Sequence, residues 1–454
     1  MVSVDGFLPG PLFFKRRVID VEKEFDVENC IELPRKTVKH VIDEYTIILA
    51  PEYPNWIVLD GDELYLYTEL ESGKTIIQAM DAYAIEKQCE DEWVIEKMTS
   101  LLSKIDDTEF YRQAESLIED PIENIHKLVH INLTNNCNLR CPHCYMAAGK
   151  TKEVRLEINK IIEVIEKINT KNGTSDIVIS GGEPFMFPNL LELLKKLSDN
   201  KLTLFTNGTY INENNYKVIC ECCDEVQISM EGISETCYEQ IRGKGNYKCI
   251  RKAMDMLMGE GVRIVLAITL LPMMIDDVRK NLPELVKELD YRNLEVRINN
   301  EIEMTGNALT MDFTGYDKDY SDKVILELLQ TIKDSGAVTE FPGERNVRFT
   351  NCGIGANIVV NYDGRIYPCH KFNTPFYFDV DTDIDTIYKE FDEINRKTSN
   401  DYIKKCSICE LRYVCAGGCR IDNYNSNGDM MMPVCDETYK EKQYRKLLYE
   451  YLRG

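Results

Sequence analysis

The chain has 454 residues, of which 29% are charged and 44% hydrophobic, and this composition is typical of a folded protein with two or three domains. It contains no apolar run of about twenty residues, so we expect no membrane span, and residues 1–15 lack the order of a signal peptide. The formal net charge is −23, and such a surface repels nucleic-acid phosphates. We therefore expect a cytoplasmic protein that binds neither nucleic acid nor membrane.

The first predicted unit is a small α/β module within residues 46–110. β-type runs at 46–50 and 56–59 are followed by an Asp60-Gly61 turn and a third run at 64–67, an order typical of a hairpin. Two helical patterns follow, at 75–80 and 93–102. A small sheet followed by helices can offer its edge to a peptide.

The middle of the chain alternates strand and helix patterns. Strands that alternate with amphipathic helices predict a parallel sheet with right-handed crossovers. Six such units are fewer than the eight of a closed barrel, so we predict an α/β fold with a partial (β/α)6 TIM-like barrel that is open along one side. The predicted strands are 128–133, 177–180, 202–206, 226–229, 263–269 and 294–298.

The last part of the chain is rich in cysteine. An Asp363-Gly364 turn predicts a hairpin that carries Cys369 back near Cys352, and a final helix is expected at 438–451. These patterns predict three domains, namely an α+β recognition domain at 1–118, the partial barrel at 119–311 and a cysteine-rich domain at 312–454.

Ten of the seventeen cysteines fall into two spaced sets. Cys137, Cys141 and Cys144 form a CxxxCxxC motif after the first barrel strand, where parallel α/β folds place their ligands. Thiolates this close in sequence can converge on one metal centre. A zinc site with His143 or a distant residue as fourth ligand is the alternative. The second set consists of Cys352, Cys369, Cys406, Cys409, Cys415, Cys419 and Cys435.

The CxxxCxxC motif and the Gly-Gly-Glu-Pro segment after the second strand resemble the radical S-adenosylmethionine (SAM) superfamily. The resemblance implies that Cys137, Cys141 and Cys144 are the catalytic cysteines and hold a [4Fe–4S] cluster whose free iron binds SAM. It implies that reduction cleaves SAM to a 5′-deoxyadenosyl radical, with an electron donor such as flavodoxin or ferredoxin. The SAM contacts that it implies are His143, Gly181, Gly182, Glu183, Pro184, Thr206, Asn207, Ser229 and Arg242. A late glycine motif at 305–308 resembles a segment near the adenine.

The second cysteine set resembles the SPASM extension of this superfamily, which holds two auxiliary [4Fe–4S] clusters. The resemblance assigns Cys352, Cys369 and Cys419 to an inner cluster. Many SPASM enzymes have a further ligand before the hairpin, but residues 343–351 contain no cysteine. The inner cluster therefore has either an open iron for a substrate cysteine or a remote ligand such as Cys249 or water. The outer cluster is assigned Cys406, Cys409, Cys415 and Cys435.

The N-terminal module resembles the leader-recognition domains of ribosomal peptide maturation, with a structural cap on the barrel as the alternative. Together the resemblances imply a maturase of the sactipeptide and ranthipeptide kind, which binds a precursor peptide through its leader and forms intramolecular Cys thioether crosslinks. Three alternatives stay open. They are a maturase that forms C–C or C–O bonds, an anaerobic sulfatase-maturing (formylglycine-generating) enzyme, and a non-catalytic scaffold with structural clusters.

Overall fold

The computed structural model describes residues 25–111, 126–150, 152–289, 293–314, 316–336, 338–339, 345–371 and 376–453. The expectations for residues 1–15 and for the domain boundary near residue 118 lie outside this part of the chain. Within it, no helix combines the length and the apolar character needed to cross a bilayer.

The first unit is an antiparallel sheet that carries three helices. Its strands pair in chain order, β1 (Val38–Ile42), β2 (Tyr45–Ala50) and β3 (Asn55–Leu59). The helices are α1 (Gly61–Glu71), α2 (Ile76–Lys87) and α3 (Asp91–Asp107). They bury one face of the sheet, while the other face packs on the C-terminal end of the chain.

The predicted third strand at 64–67 is wrong, because these residues lie inside α1. Asp60 caps this helix: its carboxylate accepts the backbone N–H groups of Asp62 (2.9 Å) and Glu63 (2.8 Å). The Glu63 carboxylate accepts the backbone N–H of Asp60 in return (2.9 Å). This capping box starts a helix where the Asp-Gly pair suggested a turn. The third strand of the sheet is instead β1, which precedes both predicted strands.

The second unit contains all six predicted strands of the middle region, each within one residue of its expected bounds. They pair in parallel and in chain order. The strands are β4 (Leu128–Asn132), β5 (Asp176–Ser180), β6 (Lys201–Thr206), β7 (Glu225–Ser229), β8 (Arg263–Thr269) and β9 (Leu294–Asn299). The helices between them are α4 (Ile158–Asn172), α5 (Leu190–Leu197), α6 (Tyr216–Cys222), α7 (Glu235–Arg242), α8 (Asn246–Gly259) and α9 (Ile275–Glu288).

The two faces of this sheet differ in burial, because strand side chains alternate between the helix layer and the interior of the barrel. Val129 and Ile131 on β4 are fully buried with the helices, whereas His130 between them is half-buried. The His130 ring stands edge-on to Phe205 of β6, with ring centroids 5.9 Å apart. The inner face is therefore not packed solid, and it leaves room for a ligand.

The sheet continues beyond the six strands. After α10 (Lys318–Asp334), β10 (Val338–Thr339) pairs parallel with β9 at one end. At the other end β11 (Ile358–Val360) pairs parallel with β4, and β12 (Arg365–Tyr367) and β13 (Phe378–Asp379) follow antiparallel. The predicted hairpin is confirmed, and Gly364 takes the positive φ (+82°) that its turn requires. The barrel is thus partial, and its sheet crosses residue 312, where the domain boundary stays a prediction.

The remaining helices surround the second cysteine set. They are α11 (Ile384–Lys397), α12 (Arg412–Cys415), α13 (Arg420–Asn427) and α14 (Glu437–Arg453). The N-terminal sheet rests on α14: the Trp56 indole N–H donates to the Leu447 carbonyl (3.2 Å), and His40 stacks on Tyr444 at 3.8 Å. Leu411, two residues after Cys409, is buried in the same apolar cluster. The first unit therefore packs next to the outer cysteines.

Candidate active site

The first cysteine set lies in the loop after β4, at the carboxyl edge of the parallel sheet. Cys141 is buried, and its carbonyl accepts the backbone N–H of Cys144 (3.3 Å). The Leu139 N–H donates to the Cys137 sulfur (3.4 Å). Burial raises the pKa of Cys137 to about 11, and the nearby Cys141 and Cys144 add to the rise. The charges of Cys141 and Cys144 therefore act on the thiol of Cys137. A metal centre would bind the three cysteines as thiolates and displace their protons.

The two glycines of the Gly-Gly-Glu-Pro segment lie directly against the start of the cysteine loop. A Cβ on Gly181, whose φ is +136°, would stand 2.7 Å from the Thr134 carbonyl oxygen. A Cβ on Gly182 would stand 2.2 Å from the Asn136 carbonyl oxygen. The sequence predicts that these glycines let the backbone approach a ligand. In the structure they let it approach the cysteine loop, and their contact with SAM stays a prediction.

We expect Gly182→Ala to displace the cysteine loop, because the new methyl group and the Asn136 carbonyl cannot occupy the same space. The free energy of unfolding should fall by about 2 kcal/mol, and the first site should lose iron. Chemical unfolding and an iron assay measure both effects. Gly61→Ala is the matched control: its Cβ meets nothing within 4 Å at the start of α1, so stability should change by less than about 1 kcal/mol. Equal iron in the two variants would contradict this account of Gly182.

Glu183 connects the carboxyl ends of β5 and β6 next to the cysteine loop. Its buried carboxylate accepts the Thr206 hydroxyl (2.7 Å) and the Asn207 backbone N–H (2.8 Å). Burial raises the pKa of Glu183, and these hydrogen bonds oppose the rise. The Asn207 amide nitrogen lies 3.9 Å from the Cys137 sulfur. Glu183, Thr206 and Asn207 thus support the cysteine loop from below, and the buried Pro184 opens the short 3-10 turn that follows.

Arg242 is engaged by a carboxylate of the chain itself. Its guanidinium binds Glu231 in two places, Nε to Oε2 and Nη2 to Oε1, each at 2.5 Å, and both side chains are buried. His143 Nε2 also lies 3.3 Å from Glu231 Oε1. Burial tends to raise the pKa of Glu231, but Arg242 and His143 outweigh it and hold the value at about 2.

The described carboxylate partner of Arg242 is therefore Glu231, which nothing in the sequence pattern singled out. His143 and Arg242 both contact Glu231 near Cys141, whose charge acts on Arg242. Ser229 lies on the half-buried face of β7. The contacts of Ser229, His143 and Arg242 with SAM stay predictions.

The late glycine motif binds the other side of the cysteine loop. The Asn307 backbone N–H donates to the Cys144 carbonyl (2.8 Å), and its amide nitrogen donates to the Cys141 carbonyl (2.9 Å). A Cβ on Gly306 would stand 2.2 Å from the Tyr145 carbonyl oxygen. The chain segment after β9 therefore fixes the cysteine loop from the far side of the open barrel. A role for this segment near the adenine stays a prediction.

The seven cysteines of the second set separate into two groups. Burial raises the pKa of Cys369 to about 12, and Cys419 and Cys352 add to the rise. A different group surrounds Cys406, whose pKa burial raises to about 11. The thiols that add to that rise are Cys415, Cys409 and Cys435. The cysteines whose charges act on Cys369 and on Cys406 thus fall into the two groups that the resemblance assigns, and two cluster sites stay a prediction.

The four cysteines that are assigned to the outer site share one cavity. Cys406, Cys409, Cys415 and Cys435 line a space of about 220 Å³ with apolar neighbours such as Ile408 and Val434. Thiolates around a cavity of this kind are the ligands of iron–sulfur clusters.

Cys249 is not the remote ligand of the inner site. It lies on α8 outside the barrel, where its side chain is exposed and its thiol faces the Gly245 carbonyl at 3.6 Å. The assignment of Cys352, Cys369 and Cys419 to that site stays a prediction.

The fold and the first cysteine loop agree with one family model. Residues 131–286, about a third of the chain, match the model of the Radical SAM superfamily. This part of the chain is therefore a Radical SAM domain. Members of this superfamily use a [4Fe–4S] cluster and SAM, and the residues of the first cysteine loop fit that requirement.

Several curated proteins are similar to this chain. The sporulation killing factor maturation protein SkfB of Bacillus subtilis is 29% identical over 152 residues, 33% of this chain and 37% of SkfB. The antilisterial bacteriocin subtilosin biosynthesis protein AlbA of the same species is 24% identical over 252 residues, 54% of this chain and 55% of AlbA. A probable GTP 3',8-cyclase of Methanococcus maripaludis is 25% identical over 261 residues, 53% of this chain and 83% of the cyclase. The shared core thus occurs in proteins named for peptide products and for a nucleotide.

Among solved structures, SuiB of Streptococcus suis is similar in fold over most of the chain. The TM-score is 0.54 at 14% identity, with 90% of this chain and all of SuiB covered. SuiB has been solved bound to S-adenosylmethionine and, separately, to precursor peptide SuiA. At this level of identity the similarity establishes the fold, including the parts on either side of the barrel.

Proposed function

We propose that the protein is a radical SAM maturase that forms intramolecular Cys thioether crosslinks in a ribosomally made precursor peptide. The observation that carries the proposal is the spacing of ten cysteines in two sets, which we assign to a first site of three, an inner site of three and an outer site of four. The names of SkfB, AlbA and the SuiA-bound SuiB structure support a peptide substrate. The thiol-rich sites suit the reducing cytoplasm.

The proposed cofactors are three [4Fe–4S] clusters and SAM. The first cluster, held by Cys137, Cys141 and Cys144, would supply the electron that cleaves SAM into methionine and a 5′-deoxyadenosyl radical. The half-buried inner face of the barrel, with His130 and Phe205, would enclose the reacting peptide and keep out water. Asn207 and Asn307, which hold the loop from two sides, would keep the first site rigid during turnover.

The inner site is where we place the substrate cysteine. Of the described cysteines we assign three to that site, Cys352, Cys369 and Cys419, and we assign its fourth position to a thiolate from the peptide. Lys371 brings a positive charge close to Cys369 and Cys419 and is held by Asp422, with Nζ and Oδ1 2.6 Å apart. A nearby cation favours a thiolate over a thiol.

The crosslinking reaction balances with one SAM per bond. One C–H bond and one S–H bond of the peptide break, and one C–S bond forms. The hydrogen atom leaves in 5′-deoxyadenosine, the thiol proton goes to solvent, and the surplus electron returns to a flavodoxin- or ferredoxin-like carrier. Each crosslink thus removes two hydrogens from the peptide.

We propose that the N-terminal sheet receives the leader of the precursor as an added strand. The described sheet has β1 and β3 as its outer strands. The carbonyls of Trp56 and Val58 on β3 already accept Arg345 and Lys104. A peptide strand beside β3 must displace these side chains, whereas among the described residues no side chain bonds to the outer backbone of β1.

The test is anaerobic incubation of the reconstituted enzyme with SAM, a reductant and the cysteine-containing precursor encoded beside it, followed by tandem mass spectrometry. We expect a loss of two hydrogens per crosslink and cysteines that resist alkylation. The same mass loss with alkylatable cysteines would indicate C–C or C–O bonds. Conversion of a cysteine to an aldehyde would indicate formylglycine formation. Either outcome would refute the thioether proposal, and a precursor without its leader is the control for recognition.

A further inference from the structure

Arg420 is among the largest fully buried side chains of the protein and lies between the two auxiliary cysteine sites. It is 0% exposed, and it directly follows Cys419 at the start of α13. Its described hydrogen bonds all go to backbone carbonyls. Nε donates to Thr398 (2.7 Å), Nη1 to Gly417 (2.9 Å) and Gly418 (2.7 Å), and Nη2 to Ala416 (3.0 Å). Four of the five N–H groups of the guanidinium are thereby used.

The carbonyls that Arg420 binds belong to one special loop. Residues 416–418 connect Cys415 of the outer site to Cys419 of the inner site. All three have positive φ (56°, 75° and 73°), a conformation that costs energy for Ala416. A Cβ on Gly417 would stand 3.0 Å from the guanidinium. The loop is thus wrapped around the cation, which compensates for the strained backbone and sets the separation of the two sites.

The hydrogen bonds of Arg420 place its charge at the loop that links the two cysteine groups. Cys415 comes directly before that loop, and Cys419 comes directly after it and next to Arg420 itself. Cys415 is assigned to the outer site and Cys419 to the inner site. A buried cation acts on neighbouring charges far more strongly than an exposed one.

We propose that Arg420 is a positioning residue for both auxiliary sites, which fixes the Cys415–Cys419 loop and raises the reduction potential of the two clusters with its buried positive charge. This inference rests on the cluster complement of the proposed function. Each reduction adds one electron to an already anionic group, and charge and hydrogen bonding around a cluster set its potential. A shared cation favours the reduced state at both sites and eases repulsion between them.

The experiment compares full-length, anaerobically reconstituted wild-type protein with Arg420→Gln and Arg420→Lys. Glutamine keeps amide donors but removes the charge, and lysine keeps the charge but has three donors in place of five and lacks the planar fork. Iron is counted, and the reduced clusters are titrated against potential by electron paramagnetic resonance. The signal that changes on addition of SAM marks the first cluster and is the internal reference.

We expect Arg420→Gln to lower the reduced fraction of both auxiliary clusters at least tenfold at a fixed potential, which is about 59 mV for one electron. Arg420→Lys should stay within tenfold of the wild type, and the SAM-responsive signal should not move. If Arg420→Gln fails to retain auxiliary iron, Arg420→Lys with full iron and wild-type potentials supports the role of the charge. Unchanged potentials in Arg420→Gln, or equal losses in both variants, would overturn the inference.

Failure of the proposed function is distinguishable from failure of this inference. A wild-type protein with iron for one cluster only would refute the auxiliary sites, and the inference with them. A wild-type protein with three clusters and the expected titration, but no thioether product, would refute the reaction and leave the role of Arg420 standing.

Discussion

Replacing Cys141 by alanine is expected to abolish reductive cleavage of SAM, the largest effect that we predict. Cys141 is the buried member of the first set, and its carbonyl also anchors Asn307. Alanine leaves that backbone contact in place and removes only the thiolate. The reconstituted variant should contain about four fewer irons per chain, and 5′-deoxyadenosine should fall to the level of protein without iron. Iron analysis and chromatography of the nucleoside products measure these two quantities.

The control for Cys141 is Cys249→Ser. This cysteine is exposed on α8 and belongs to none of the three sites, so both iron content and deoxyadenosine formation should match the wild type. Substantial SAM cleavage by Cys141→Ala would remove the first cysteine set from its assigned role. A loss in Cys249→Ser as large as that in Cys141→Ala would show that the assay reports general cysteine damage.

Glu231→Gln is expected to give the largest loss of stability. The change leaves the Arg242 guanidinium charged and buried without its carboxylate, and breaking a buried ion pair from one side costs about 3–5 kcal/mol. Denaturant unfolding of the protein measures the loss. The double variant Glu231→Gln with Arg242→Met should regain much of it, because no lone charge is then buried. A double variant no more stable than Glu231→Gln alone would contradict this reading.

The matched control is Glu393→Gln, which removes an exposed partner of Arg396 and Lys397 on α11. An exposed pair contributes less than about 1 kcal/mol.

The pH dependence of stability gives a further check. The folded-state pKa of Glu231 is lowered from 4.5 to about 2, so its stabilising contribution is full above pH 4.5 and is lost as the pH falls toward 2. The difference between wild type and Glu231→Gln should shrink over that interval.

The parallel barrel was predictable because its signals are local. Each strand is a short apolar run between amphipathic helices. The apolar stripe of a helix such as α4 can be recognised from the spacing of residues that are close in sequence. The same holds for the Asp363-Gly364 hairpin, where a two-residue signal dictates the turn. The predicted strand at 64–67 is wrong, because Asp60 caps a helix there. The sequence contains the signal for this cap, since Glu63 stands three residues after Asp60 and completes the capping box.

The spacing of cysteines determined by itself that metal-binding loops exist, because a loop of two or three residues forces its sulfurs together. Spacing does not say which distant cysteines share a site; the resemblance to the SPASM extension assigned them, and that assignment stays a prediction. The tertiary structure decided that the segment between Cys352 and Cys369 lies beside the barrel, because β11 extends the barrel sheet next to β4. It also decided that Arg242 pairs with Glu231 and that the glycines at 181 and 182 accommodate the cysteine loop. The burial of Arg420 could not be predicted from the sequence, because chain segments that are far apart in sequence bury it and no periodic pattern marks such a residue.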